Sequence, residues 1–309
     1  MGIQTLRGRD LLSIADLEPA ELLELLQLAA ALKGGAQARA PQKVLGLLFS
    51  KASTRTRVSF SVAMYHLGGQ VIDLNPNVTQ VGRGEPISDT ARVLDRYLDA
   101  IAIRTFHQAD LTEFAHYARI PVINALTDLE HPCQILADLL TIQECWGDLQ
   151  GVTLTYLGDG NNVAHSLLLG CALAGLSIRV ATPMAYAPEP QIVAQARTLA
   201  QGRSEVMITT DAIAAVQGAQ VLYTDVWASM GQEAEAETRL PVFQSYQIND
   251  DLLSHADAKA IVLHCLPAHR EEEVTTAVLE GEQSRVWQQA ENRMHAQQAL
   301  LAAVLGAWD

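Results

Sequence analysis

Short, almost uncharged apolar runs alternate along this chain with longer stretches whose apolar positions recur every three or four residues. The short runs are rich in Val, Ile and Leu and too brief for buried helices. They are therefore expected to be strands covered on both faces. They lie at 43–49 (KVLGLLF), 70–74 (QVIDL), 100–105 (AIAIRT) and 121–125 (PVINA), and in a second series at 152–159 (VTLTYLGD) and 177–182 (SIRVAT). Three more, VMITT, QVLYTD and AIVLHC, end at Thr210, Asp225 and Cys265. The longer pattern predicts helices near 55–66, 132–146, 162–174, 189–199 and 284–304; the second opens on a proline, which suits a first helical turn. Strand–helix alternation implies parallel sheets flanked by helices. The turn-rich WGDLQG at 146–151 separates the two series. The expected fold is α/β, in two domains of similar size with a cleft between them, and ligands at the C-terminal ends of strands.

With 309 residues the chain can bury two cores without disulfide staples. A formal net charge of −14 repels phosphate polymers, so nucleic acid is not an expected partner. A local basic pocket for a small anion is still allowed. Four cysteines (Cys133, Cys145, Cys171, Cys265) show no CxxC spacing, which points to a reducing compartment. The longest uncharged stretch, 160–178, contains Asn161, Asn162, His165 and Ser166, so it reads as a loop and buried helix rather than a membrane span. There is no apolar leader, and the expected location is cytoplasmic.

Six strings carry chemistry. At 49–60, FSKASTRTRVSF ends a strand and starts a helix. Helix N-terminal N–H groups, hydroxyls on Ser53, Thr54 and Thr56, and the Arg55 fork suit an anion, although an ordinary N-cap gives the same pattern. Arg104 closes an apolar strand. His131 and Gln134 lie three apart at a helix start; His can polarise a carbonyl and Gln can bond an amide, or His131 can be a cap. GDGNN at 158–162 mimics a dinucleotide loop but has Val163 at the third glycine position and no acid about 20 residues on, so a turn or a small polar ligand fits better. DVWASMG at 225–231 sets an acid and a hydroxyl four apart, suited to an ammonium, and the polar stretch after it, 231–239, suits a mobile lid. HCLPAHR at 264–270 offers a Cys beside a His: a nucleophile, a thiol that only shapes a pocket, or, least favoured, part of a metal site.

Together these strings resemble the aspartate/ornithine carbamoyltransferases, over essentially the whole chain and in order. STRTR, the strand arginine and HPxQ are shared across that family and imply carbamoyl phosphate; DxWxSMG and HCLP imply ornithine as acceptor. The resemblance implies that Ser53, Thr54, Arg55 and Thr56 hold the phosphate. Arg104 would bridge phosphate and carbonyl oxygen, His131 bond that oxygen, and Gln134 the carbamoyl amide. Gln80 would reach a neighbouring subunit's phosphate site. Asn162, Asp225, Ser229 and Met230 would bind ornithine. Cys265 and Leu266 would line the place where the δ-amine meets the carbamoyl group, and Arg293 would return from the C-terminal helix to the first domain. Arg104, His131 and Cys265 are the implied catalytic residues. Residues 1–148 with the helix at 284–309 would form a carbamoyl-phosphate domain, and 149–283 an ornithine domain. The implied reaction is direct attack on the carbonyl through a tetrahedral intermediate, giving citrulline and phosphate. It calls for no cofactor and no metal. The implied assembly is a homotrimer or a multiple of it, with sites at subunit interfaces.

Overall fold

The computed structural model describes residues 3–75, 80, 84–228 and 235–308. The chain divides into two compact units, Met1–Leu140 with Asn292–Asp309, and Thr141–Glu291.

The first unit runs α1 (Pro19–Lys33), β1 (Val44–Phe49), α2 (Thr54–His66), β2 (Gln70–Leu74), α3 (Ile87–Leu94), β3 (Ala100–Arg104), α4 (Gln108–Tyr117) and β4 (Val122–Leu126), then most of α5 (Pro132–Trp146). Its sheet has the order β2-β1-β3-β4 and is parallel throughout. Every residue of β3 is buried, the apolar Ala100 to Ile103 as a run covered on both faces requires, and Arg104 with them. Leu48, Leu98, Ile101, Ile103, Leu111, Phe114 and Val122 pack as one apolar cluster. Phe49 pairs with Arg104, and the ladder slips between Ile103 and Arg104 so that Arg104 faces Leu126. The slip sets Arg104 at the C-terminal rim of the sheet.

The second unit continues through β5 (Thr153–Leu157), α6 (Asn162–Ala174), β6 (Ser177–Ala181), α7 (Pro190–Ala200), β7 (Val206–Thr209), α8 (Ala212–Val216), β8 (Val221–Thr224), α9 (Ala236–Phe243), α10 (Asp250–Leu253), β9 (Ile261–His264) and α11 (Thr276–Leu279). Its parallel sheet has the order β7-β6-β5-β8-β9. Helix α6 is buried on all sides from Val163 to Ala174, and apolar there except for His165 and Ser166. Leu157, Leu222, Trp227, Phe243, Tyr246 and Val262 form a core in which the Trp227 and Phe243 rings stack at 5.8 Å.

The last helix, α12 (Val286–Val304), ends in the first unit. Its second half is a buried apolar run, Ala299 to Val304. Asn292 accepts from Lys33 Nζ at 2.7 Å, and Gly8 N–H donates to the Val304 carbonyl at 2.9 Å.

Strand order decides where ligands can go. In the first sheet the chain leaves β1 for β2 on one side, then crosses to β3 and β4 on the other. In the second it runs β5, β6, β7 outward, then crosses to β8 and β9. Each crossing opens a crevice at the carboxyl ends of two neighbouring strands, β1/β3 and β5/β8. The loops there are 50–53 with 105–107, and 158–161 with 225–228. Among the described residues no helix is long and apolar enough to cross a membrane.

Candidate active site

The β1/β3 crevice of the first unit is cationic. Residues 50–53 lead from β1 into α2, and Ser53 takes the N-cap position without bonding the helix through its side chain. The first N–H groups of α2 are thus left for an acceptor of another kind, beside the positive end of the helix. Buried Arg104 donates through Nη1 to Ser53 Oγ at 3.5 Å. Buried Arg293, from α12, donates through Nη2 to Thr56 Oγ1 at 2.7 Å. Because Thr56 accepts there, its own hydroxyl hydrogen is left to donate elsewhere. Thr54 and Arg55 sit at the exposed edge of the same helix end. Lys51 is buried between Asp128, with which it forms an ion pair, and the Phe106 ring at 4.2 Å. It thereby anchors the 50–53 loop, a role the sequence reading did not foresee.

His131 and Gln134 open α5 beside these arginines. Burial, then the charges of Arg293 and Arg104, hold the His131 imidazolium well below the usual histidine range. The ring is therefore neutral near pH 7 and can present an N–H without carrying charge. Gln134 is fully buried; its Nε2 donates to Asp138 Oδ1 at 2.8 Å. A carboxylate can only accept, so Asp138 fixes which end of the amide faces it. The other end, Oε1, is buried and has no partner among the described residues. It is an acceptor ready for an N–H. Asp138 was missed in the sequence, although its i,i+4 spacing from Gln134 on one helix face was a usable signal. Cys133 next door is inert: burial pushes its thiol up to about 12.

The low His131 pKa has a measurable consequence. In the unfolded chain this histidine gains a proton below about pH 6.5, whereas the folded ring does not. The unfolded state then binds more protons, so stability falls as pH drops below 6.5, by up to about 1.4 kcal/mol per pH unit. His131→Gln should show a flatter unfolding free energy between pH 6.5 and 5 than the parent in urea titrations. Equal slopes would mean the ring titrates freely.

The β5/β8 crevice of the second unit is anionic. Asn161 caps α6: its Oδ1 accepts from the N–H groups of Val163 and Ala164 at 2.9 and 3.2 Å. Its Nδ2 donates to Asp225 Oδ2 at 2.8 Å, and the Cys265 thiol donates to Asp225 Oδ1 at 2.9 Å. Asp225 thus joins the ends of β5, β8 and β9 through one carboxylate. The negative charge concentrated here is felt by buried Tyr156, whose phenol is pushed far above 10 by burial, then by Asp225 and Asp159. Asp159 is itself raised by burial, and less so by Asp225, despite its bond to Arg239.

Three readings of this crevice are narrowed by its geometry. The helix-start N–H groups of GDGNN are occupied by the Asn161 side chain, so no pyrophosphate sits there. Gly160 serves a different close approach: a Cβ on it would stand 2.3 Å from Pro188 N and 2.5 Å from the Tyr186 carbonyl oxygen. The expected lid does not extend to 239. Residues Ala236–Phe243 form a helix, and Arg239 is buried, bonded to Asp159 Oδ2 and the Trp227 carbonyl, each at 2.8 Å. Finally, His264 does not activate Cys265. Its Nδ1 accepts the Leu266 N–H at 2.8 Å and its Nε2 faces Glu273 at 3.0 Å. Asp225, His264 and Cys265 do bring three donor atoms within 4.8 Å of one another, a grouping the sequence spacing did not suggest, but these bonds engage both His264 nitrogens.

The sequence-derived set is thus gathered at two crevices: Ser53, Thr54, Arg55, Thr56, Arg104, His131, Gln134 and Arg293 in one unit, and Asn162, Asp225, Cys265 and Leu266 in the other. Asn162 is the first residue of α6, whereas the contact to Asp225 comes from Asn161. Gln80 is exposed. Ser229 and Met230 lie outside the described residues.

Comparison with known proteins places these features in context. Residues 9–144 match the family described as aspartate/ornithine carbamoyltransferase, carbamoyl-P binding domain, and residues 150–304 match the corresponding Asp/Orn binding domain. The chain is 72% identical over 303 residues to the ornithine carbamoyltransferase of Thermosynechococcus vestitus, covering 98% of each chain. It is 70% identical over 302 residues to that of a Nostoc species, covering 98% of this chain and 99% of the relative. Among solved structures, ornithine carbamoyltransferase from Pyrococcus furiosus aligns with a TM-score of 0.94 at 48% identity, covering 98% of this chain and 99% of that one. The enzyme from Gloeobacter violaceus aligns at 0.89 and 59% identity, covering 96% and 98%.

Proposed function

Since the chain belongs to the aspartate/ornithine carbamoyltransferase family, we propose that it moves the carbamoyl group from carbamoyl phosphate to the δ-amine of L-ornithine, releasing L-citrulline and phosphate. The observation that carries this reading is the opposite electrostatics of the two crevices. One gathers Arg104, Arg293 and a helix N-terminus, as a phosphate needs. The other presents the carboxylate of Asp225, as an amino group needs, while Asp159 is already paired with Arg239.

In this mechanism Ser53, Thr54, Arg55, Thr56 and Arg293 hold the phosphate. Arg104, His131 and the Thr56 hydroxyl face the carbonyl oxygen, and Gln134 Oε1 accepts from the carbamoyl NH2. Asp225, with Asn162, Ser229 and Met230, binds the α-substituents of ornithine. The neutral δ-amine attacks the carbonyl carbon, the C–N bond forms, and the electron pair moves to the oxygen. Neutral His131 donates a hydrogen bond there without having to lose a proton. The tetrahedral intermediate collapses as the C–O bond to phosphate breaks. One oxyanion donor of this kind is worth roughly 10²–10³ in rate.

The amine is the costly partner. Near the lysine reference of about 10.4 it is mostly protonated at pH 7, and each unit costs about 1.36 kcal/mol. Its proton goes to the departing phosphate, or to Cys265 once the thiol has passed its own proton to the Asp225 carboxylate. The Cys265 thiol donates to Asp225 while both His264 ring nitrogens are engaged elsewhere, which supports pocket-shaping and proton-handling over covalent attack. Four free cysteines support a cytoplasmic setting, and the reaction suits arginine biosynthesis. A homotrimer with Gln80 contributed to a neighbour's site is part of the same reading.

The test is a product assay with carbamoyl phosphate against ornithine, acetylornithine, putrescine, lysine and aspartate. Citrulline from ornithine alone is expected. Turnover of another acceptor would keep the phosphate half and overturn the acceptor half.

A further inference from the structure

Cys265 and Leu266 are held by a buried network that the reaction itself does not use. Leu266 has φ = 58°, a left-handed conformation that a branched side chain adopts only when its surroundings fix it. What fixes it is the preceding histidine: the Leu266 N–H donates to His264 Nδ1 at 2.8 Å. An Nδ1 that accepts carries no proton, so the ring is the Nε2–H tautomer, and that hydrogen points to Glu273 Oε1 at 3.0 Å. The same oxygen accepts the His269 N–H at 2.6 Å, closing the loop from 264 to 273 on itself. The network is pinned from behind by α12, where Gln289 Oε1 accepts the His264 N–H at 2.9 Å and its Nε2 donates to Tyr223 Oη at 3.1 Å. Both His264 and Glu273 are buried.

We propose that Glu273 is a positioning residue for carbamoyl transfer: through the His264 tautomer it sets the backbone of Leu266, and with it the Cys265 thiol against Asp225. This rests on the function proposed above. A buried carboxylate is expensive to keep, and an apolar residue would serve packing better. Here the carboxylate supplies an acceptor for two N–H groups at once. Without it the imidazole loses the partner that selects its tautomer. The alternative tautomer would aim an N–H at the Leu266 N–H, and the two donors would repel.

The test compares Glu273→Ala and Glu273→Gln with the parent. The glutamine oxygen can accept both N–H groups, so Glu273→Gln should stay within about threefold of parent kcat. Glu273→Ala should lose about 10- to 100-fold in kcat, the scale of a small misplacement. Inorganic phosphate binding should be unchanged in both, because the cradle residues belong to the other unit. The nitrogen-15 spectrum of His264 should show an unprotonated Nδ1 in the parent and in Glu273→Gln, and a changed tautomer in Glu273→Ala. A Glu273→Ala protein with a lower Tm but parental kcat well below it would reduce Glu273 to a structural residue and overturn the proposal. So would a parental His264 protonated at Nδ1, a reading that needs no folded alanine variant. A parent that makes no citrulline overturns the functional reading instead, and leaves the tautomer result standing.

Discussion

Arg104→Ala is expected to lower kcat by about 10²–10³-fold while the protein stays folded. Arg104 is the charged group at the rim of the β3 strand, buried beside Ser53 and within electrostatic reach of His131. In the proposed mechanism its guanidinium serves both places where negative charge grows: the carbonyl oxygen during attack and the phosphate during departure. Alanine removes both contributions, and the freed space admits water that screens what remains. Arg104→Lys keeps the charge and loses the planar fork, so it should regain only part of the rate. Steady-state kinetics with carbamoyl phosphate varied, beside circular dichroism of each variant, decide the matter. Parental kcat in a folded alanine variant would remove Arg104 from the chemistry.

Asp225→Asn is expected to cut kcat/KM for ornithine by about 10- to 100-fold, the worth of a hydrogen bond to a charged group. The KM for carbamoyl phosphate should not move. The carboxylate accepts from Asn161 on one oxygen and Cys265 on the other. An amide in its place has one acceptor, so its NH2 must face one of two donors. The substitution therefore removes the charge proposed to attract the ornithine amino group and also loosens the arrangement around it. Varying each substrate in turn separates the effects. Equal losses for both substrates would assign Asp225 to general structure.

The strands and helices that frame both crevices were readable along the chain because their signals are local. QVIDL and the helix at 162–174 fall where their patterns place them. The chemistry-bearing strings were readable for the same reason: each spans a strand end or a helix start, and the residue types there are set by a few neighbouring backbone groups. What the sequence did not show is of another kind. Choosing between Asn161 and Asn162 requires knowing which residue caps α6, a matter of one backbone step: Asn161 is extended (φ −81°, ψ −170°) and the helix begins after it. Arg239 looked like part of a polar surface stretch. It is buried because Asp159, 80 positions earlier, and the Trp227 carbonyl converge on it.

By itself the sequence determined the α/β class, the two series of parallel strands and the strings that bear the chemistry, because periodicity, turn residues and helix starts act over a few residues. Tertiary structure alone decided which of those strings meet. Arg293 reaches Thr56 across 237 positions, and Asp225 gathers Asn161 and Cys265 from 64 and 40 positions away. Strand order brings such groups to one crevice, and burial then turns proximity into chemistry: it keeps His131 neutral beside two arginines.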